Sequence, residues 1–259
     1  MTSLRAAQQG FSLIEMMIAS LVGLILMAGT MQMFSSTKQS SRTSTAVTRM
    51  QENGRAGLFF IENAVRLSGY RADSLDDFKD IFPNTSVNFD FDGQVIKGID
   101  NDAVGGNDIL DGTDRILMRY LGNSDGFIHD CVGNQVIPPA RFDVETVFLV
   151  NDNNELICDS DLTNPGDWQT LIDGVEDMQI IYGVDTNSDF NADFYVSADQ
   201  VPGGSEIVSV RVSLLLQSDD MIATQAQSYR FNGATVNDPG DRRLRKVFSS
   251  TTAVRNLVD

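Results

Sequence analysis

Residues 11–34 read FSLIEMMIASLVGLILMAGTMQMF, an apolar run broken by a single charge, Glu15. As an α-helix this run spans about 36 Å, enough to cross a bilayer core of about 30 Å. The polar stretch SSTKQSSRTSTAV follows, and after it apolar or small residues recur at Val47, Met50, Gly54, Leu58, Ile61 and Val65. Steps of three and four mark one face of an amphipathic helix, and such a face packs on a sheet. The pattern predicts a helix end near Ser68-Gly69, where glycine can take the left-handed conformation.

Beyond Gly69 the helical period disappears. Short β-prone runs replace it, at 114–120 (DRILMRY), 146–150 (TVFLV), 155–158, 178–183 and 207–216 (IVSVRVSLLL). Asn151 to Asn154, between two of them, is a hairpin-turn signal. Stretches rich in Asp, Asn and Gly, such as 100–114 and 185–193, separate the runs, and no repeat of fixed period is present. The expected fold is α+β, with a long N-terminal helix packed on an antiparallel β-sheet head with long loops.

Charge and composition narrow the function. Nineteen Lys and Arg face 36 Asp and Glu, a net charge of −17, so most of the surface repels a polyanion and no nucleic-acid partner is expected. The single histidine, His129, leaves little room for imidazole metal sites or a histidine-based catalytic pair. No phosphate-cradling glycine loop, serine-nucleophile motif or zinc-ligand spacing occurs, so no enzyme activity is expected and no cofactor is required.

The details around the apolar run are more specific. A polar leader, MTSLRAAQQG, precedes Phe-Ser-Leu-Ile-Glu, with Glu15 the fifth residue after Gly10. A secretory signal has a shorter apolar stretch followed by a small-residue cleavage site, whereas this run continues past Ala28 and Gly29. The arrangement resembles the class III signal of type IV prepilins and pseudopilins, G|FxxxE. The resemblance implies cleavage by the prepilin peptidase at Gly10|Phe11 on the cytoplasmic side and N-methylation of Phe11. It also implies that Glu15 neutralises the N-terminal ammonium of a neighbouring subunit and so sets the axial register. A carboxylate within a lipid-facing helix costs about 2.5–3.5 kcal/mol on insertion scales for the related Asp at the centre, and less near an end, so it calls for such a partner. Lys38, Arg42 and Arg49 after the run oppose a cytoplasmic N-terminus by the positive-inside rule, and the leader motif overrides them. The expected organisation is a leader at 1–10, a transmembrane or filament-core helix at 11–34, its amphipathic continuation at 35–69 and an extracytoplasmic β-rich head at 70–259.

Later segments extend the likeness. The runs 50–70 (MQENGRAGLFFIENAVRLSGY), 114–121 (DRILMRYL), 180–187 (IIYGVDTN) and 242–256 (RRLRKVFSSTTAVRN) are similar to the PilW type of minor pilin. That likeness implies a subunit held in the inner membrane and then moved to the pilus, where it helps to initiate assembly and sits at or near the tip. The implied partners are other minor and major pilins, the prepilin peptidase, the inner-membrane assembly platform and a tip adhesin. The J component of type II secretion systems, a minor pseudopilin, shares the leader, anchor and head. A membrane-anchored, Ca²⁺-dependent binding domain that keeps its leader is a reading of another class.

Two further constellations stand apart from the anchor. Cys131 and Cys158 enclose 26 residues and are the right number for one disulfide in an oxidising compartment; the alternative is two buried thiols. In Asp185-Thr-Asn187-Ser-Asp189-Phe-Asn191-Ala-Asp193, oxygen-bearing side chains alternate as in the first nine positions of a calcium loop. Phe190 stands where glycine normally permits the turn, and Val196 where a glutamate would close the shell. The cluster Arg242, Arg243, Arg245 and Lys246 is expected to serve a contact within the chain or between subunits.

Overall fold

A computed structural model describes residues 11–71, 78–84, 88–101, 109–123, 125–136, 143–162, 166, 168–237 and 239–257. The chain divides into two compact units, Met1–Thr45 and Ala46–Asp259. From Leu13 onward the first is the N-terminal part of a single 55-residue helix, α1 (Leu13–Leu67). Residues 11–42 are exposed along their whole length, and α1 is long and apolar enough to cross a membrane. Within its apolar run the hydroxyls are bonded back to the helix itself: Ser20 Oγ donates to Met17 O and Thr30 Oγ1 to Met27 O, both at 2.9 Å. Few polar groups are therefore left bare on a surface suited to lipid.

The second unit contains the rest of α1, so the boundary between the two units falls inside the helix. From Met50 onward one face is buried through Met50, Gly54, Gly57, Ile61, Ala64 and Val65. Val47 and Leu58, expected on that face, are only half-buried. Gly57 lies on that face, where the sheet comes too close for a larger side chain. A Cβ on Gly54 would lie 2.5 Å from the Phe248 ring, and one on Gly57 would lie 2.6 Å from Ile172 Cδ1 and 3.0 Å from Leu214. The helix ends as its sequence predicts: Gly69 has φ of 75°, and its N–H donates to Arg119 O at 2.9 Å.

The first sheet is antiparallel, with strands adjacent in chain order: β1 (Ile96–Ile99), β2 (Arg115–Leu121), β3 (Asp143–Val150), β4 (Leu156–Asp159) and β5 (Gln169–Ile172). The second is built from β6 (Val175–Asp185), β7 (Phe194–Val196), β8 (Glu206–Gln217) and, after a short hairpin of β9 (Tyr229–Phe231) and β10 (Ala234–Val236), β11 (Arg245–Ala253). Its order is β11-β8-β6-β7. The turn from Asn151 to Asn154 joins β3 to β4 as expected, with Asn151 N–H donating to Glu155 O and Asn154 at φ of 59°.

Both sheets and α1 share one core, where Ile61 and Val65 meet Met118, Phe148, Met178, Tyr182 and Leu214. The first sheet is covered on its other face too, with Phe89 over Leu117, Val147, Leu149 and Ile157. Burial on both faces explains why DRILMRYL and TVFLV are nearly unbroken apolar runs. Arg119 is fully buried within this layer. Its guanidinium donates to the carbonyls of Gln94, Pro83 and Phe82 at 2.5–2.9 Å and lies over the Phe89 ring at 4.4 Å.

Candidate functional site

The anchor site begins where α1 begins. Gly10 and the leader lie outside the described residues. Phe11 is 87% exposed, and Ser12 is the helix cap: the Met16 N–H donates to Ser12 O, and Glu15 reaches back so that its Oε2 accepts the Ser12 N–H at 3.1 Å. Ser-Leu-Ile-Glu is thus the reciprocal half of a capping box, with the glutamate three residues after the capping serine. That spacing was readable in the sequence but was absorbed into the leader motif. The capping bond holds the Glu15 carboxylate at the first turn of the helix, close to Phe11. A carboxylate also suits the positive end of the helix dipole.

In the head, Cys131 and Cys158 are joined by a disulfide, with Cα atoms 6.3 Å apart. Cys158 is fully buried on β4, and Cys131 lies on the turn that contains His129. The same turn is tied to β4 a second time, since Ser160 Oγ donates to Asp130 Oδ2 at 2.8 Å. His129 is a loop residue, bridged to Gln135.

The loop between β6 and β7 uses its oxygens internally. Asp185 accepts the N–H groups of Asn187, Ser188 and Phe190 at 2.6–2.9 Å. Asn187 Oδ1 then accepts from Asp189 N–H, and Asp189 Oδ1 from Asn191 N–H. Asp193 Oδ2 accepts both the N–H and the hydroxyl of Thr186. Partial loss of water raises the Asp185 pKa, but the backbone donors Asn187, Phe190, Ser188 and Asp189 outweigh it and hold the carboxyl below the usual range. Phe190 adopts φ of 61° without glycine. Asp185, Asn187, Asp189 and Asp193 each accept a backbone N–H, and for the first three it includes that of the residue two on. Among the described residues no group of three or more His, Cys, Asp or Glu gathers as metal ligands do. Asp185, Asn187, Asp189, Asn191 and Asp193 are joined by hydrogen bonds within the turn.

The basic tail is divided in its use. Arg245 pairs with Glu176 and Asp241 at 2.6–2.8 Å, with only 5% of its side chain exposed, and Arg243 donates to the carbonyls of Ser218 and Asp219. The Arg245 hydrogen bonds, helped by Arg243, lower the Asp241 pKa to about 2. Arg242 and Lys246 remain exposed.

Comparison with known proteins adds two matches. Residues 5–31 match the prokaryotic N-terminal methylation motif, and residues 147–256, from within β3 to just past β11, match the family described as Type IV Pilus-assembly protein W. The chain resembles a type IV prepilin of the PilW type. The PilW-type match covers the second sheet whole, with the pair of arginine clamps, and the methylation motif covers Phe11, Ser12 and Glu15. No curated protein is matched. Among solved structures, a type IV-like pilin from Thermus thermophilus aligns with 13% identity over 81% of this chain and 99% of its own, at a TM-score of 0.47. The PilW-type resemblance is to structural proteins of pilus assembly.

Proposed function

We propose that the chain is a minor type IV pilin that takes part in initiating pilus assembly and sits in or near the pilus tip. The observation that carries this reading is the join between a methylation-motif helix, exposed and apolar over residues 11–34, and a head that matches the PilW type. The prepilin peptidase cuts Gly10|Phe11 and methylates Phe11. The helix waits in the inner membrane with its N-terminus in the cytoplasm and its head in the periplasm, an orientation that suits the disulfide. Extraction into the filament then exchanges lipid for the helices of other pilins, and the Glu15 carboxylate receives a neighbour's ammonium. Partners are the other minor and major pilins, the assembly platform and a tip adhesin.

The deciding experiment is the intact mass and N-terminal peptide mass of membrane-extracted protein, with and without the peptidase. Loss of residues 1–10 together with a methyl group on Phe11 is expected. A retained leader in the presence of active peptidase overturns the reading. Deletion of the chain is expected to reduce surface pili severalfold, whereas a defect confined to protein secretion assigns it to a type II system instead. Glu15→Ala is expected to leave processing intact and to cut incorporation into pili, measured by immunoblot of sheared filaments.

A further inference from the structure

β11 is an edge strand. Among the described residues it pairs with β8 alone, along nine residues from Arg245 to Ala253, without a bulge. The hydrogen bonds flanking this ladder fix which residues face the free side. Ser218 N–H donates to Leu244 O at 2.8 Å, and Val254 N–H donates to Val208 O at 2.9 Å. In an antiparallel pair such residues alternate with residues that turn both polar groups outward. The even-numbered residues therefore bond to β8, and Arg245, Val247, Ser249, Thr251 and Ala253 present N–H and C=O to the open edge.

The usual protections are missing from this edge. Residues 247–253 (VFSSTTA) hold no charge and no proline, whereas native sheets blunt such edges with bulges, prolines, charges or short strands. The other edge strands are short: β1 and β5 have four residues each and β7 has three. The surroundings of β11 are also unlike the rest of the molecule. Residues 242–257 contain five Arg or Lys and no acid in a chain of net charge −17. Arg242, Lys246 and Arg255 are exposed there, and so is Arg211, whose Nε donates to Thr251 Oγ1 at 3.0 Å.

The geometry points to β11 as a docking edge that takes an extended, acidic segment of a partner protein as a fifth antiparallel or parallel strand. Main-chain bonds supply the affinity and the basic rim selects the charge. A second copy of this chain is disfavoured, since two bodies of charge −17 repel each other. The surface goes beyond the pilin reading and stands whether or not the chain enters a filament.

The test uses the full chain in detergent and a strand-length peptide of alternating Glu and Val, with a counterpart carrying Lys in place of each Glu. Binding is followed by fluorescence anisotropy and by residue-resolved amide hydrogen exchange. The acidic peptide is expected to bind at least about tenfold more tightly than the basic one at low salt. It is expected to slow exchange at Val247, Ser249, Thr251 and Ala253, leaving their even-numbered neighbours unchanged. Ser249→Pro removes an outward N–H without touching the β8 ladder and is expected to weaken binding about fivefold or more. Because a proline can disturb the strand, the exchange pattern of the unaltered protein is the deciding measurement. Absence of binding, equal binding of the basic peptide, or binding without protection at the odd positions overturns the proposal. Concentration-dependent protection of the same amides by the chain alone replaces it with self-pairing.

Discussion

Asp114 is a carboxylic acid placed where ionisation is costly. It is 3% exposed, and it links the sheets: Oδ1 accepts the Asn101 N–H after β1, Oδ2 accepts the Ile180 N–H of β6, and its own N–H donates to Met178 O. Burial raises its pKa to about 7; the two backbone donors oppose this, and Asp100 beside it adds to the rise. A carboxyl whose folded pKa exceeds its unfolded value stabilises the fold fully only below the unfolded pKa of about 4, and the contribution is lost as pH climbs toward 7. Asp241 has the opposite sign. Its pKa of about 2 gives a contribution present above about 4 and lost as pH falls toward 2. Thermal stability is therefore expected to peak near about pH 4, and Asp114→Asn is expected to flatten the decline between about pH 4 and 7 while leaving the acid limb in place. A decline unchanged in that variant assigns it to other groups.

At the scale of elements, the close approach of helix and sheet rests on Gly54 and Gly57, and Arg119 ties Phe82, Pro83 and Gln94 to β2. Gly57→Leu forces Ile172, Leu214 and Leu156 to move together and is expected to destabilise the head by about 2–3 kcal/mol in urea unfolding. Arg119→Met leaves the carbonyls of Phe82, Pro83 and Gln94 without their donor and is expected to cost about 3 kcal/mol or more, read the same way. The sequence showed elements wherever apolar patterning was dense: α1, its end at Gly69, and the five runs that became β2, β3, β4, β6 and β8. It concealed β11, because in KVFSSTTA serine and threonine occupy both faces and read as a loop. It also concealed β1, β5, β7, β9 and β10, each of three or four residues with little alternation to detect. At the anchor, the roles expected of Gly10, Phe11 and Glu15 rest on a spacing, and the Ser12 cap lay hidden within that same spacing. The alternating oxygens of the Asp185 loop were legible as a pattern, and that pattern serves a chain of turns as well as it serves a cation.

For the whole molecule, the Cys131–Cys158 disulfide closes a loop of 27 residues' separation. Its reduction is expected to release about 3.5 kcal/mol of constraint on the unfolded chain, lowering the melting temperature by about 10 °C by calorimetry. An unchanged melting temperature places the constraint elsewhere. The division of α1 between the two units has a practical consequence for anyone who wishes to handle the head in water. A chain trimmed to begin near Ala46 keeps the stripe from Met50 to Val65 over Ile172 and Leu214 and sheds the lipid-seeking run; it is expected to be soluble and folded. A chain trimmed at Tyr70 looks cleaner on paper, but it strips the lid from the core, and it is expected to aggregate.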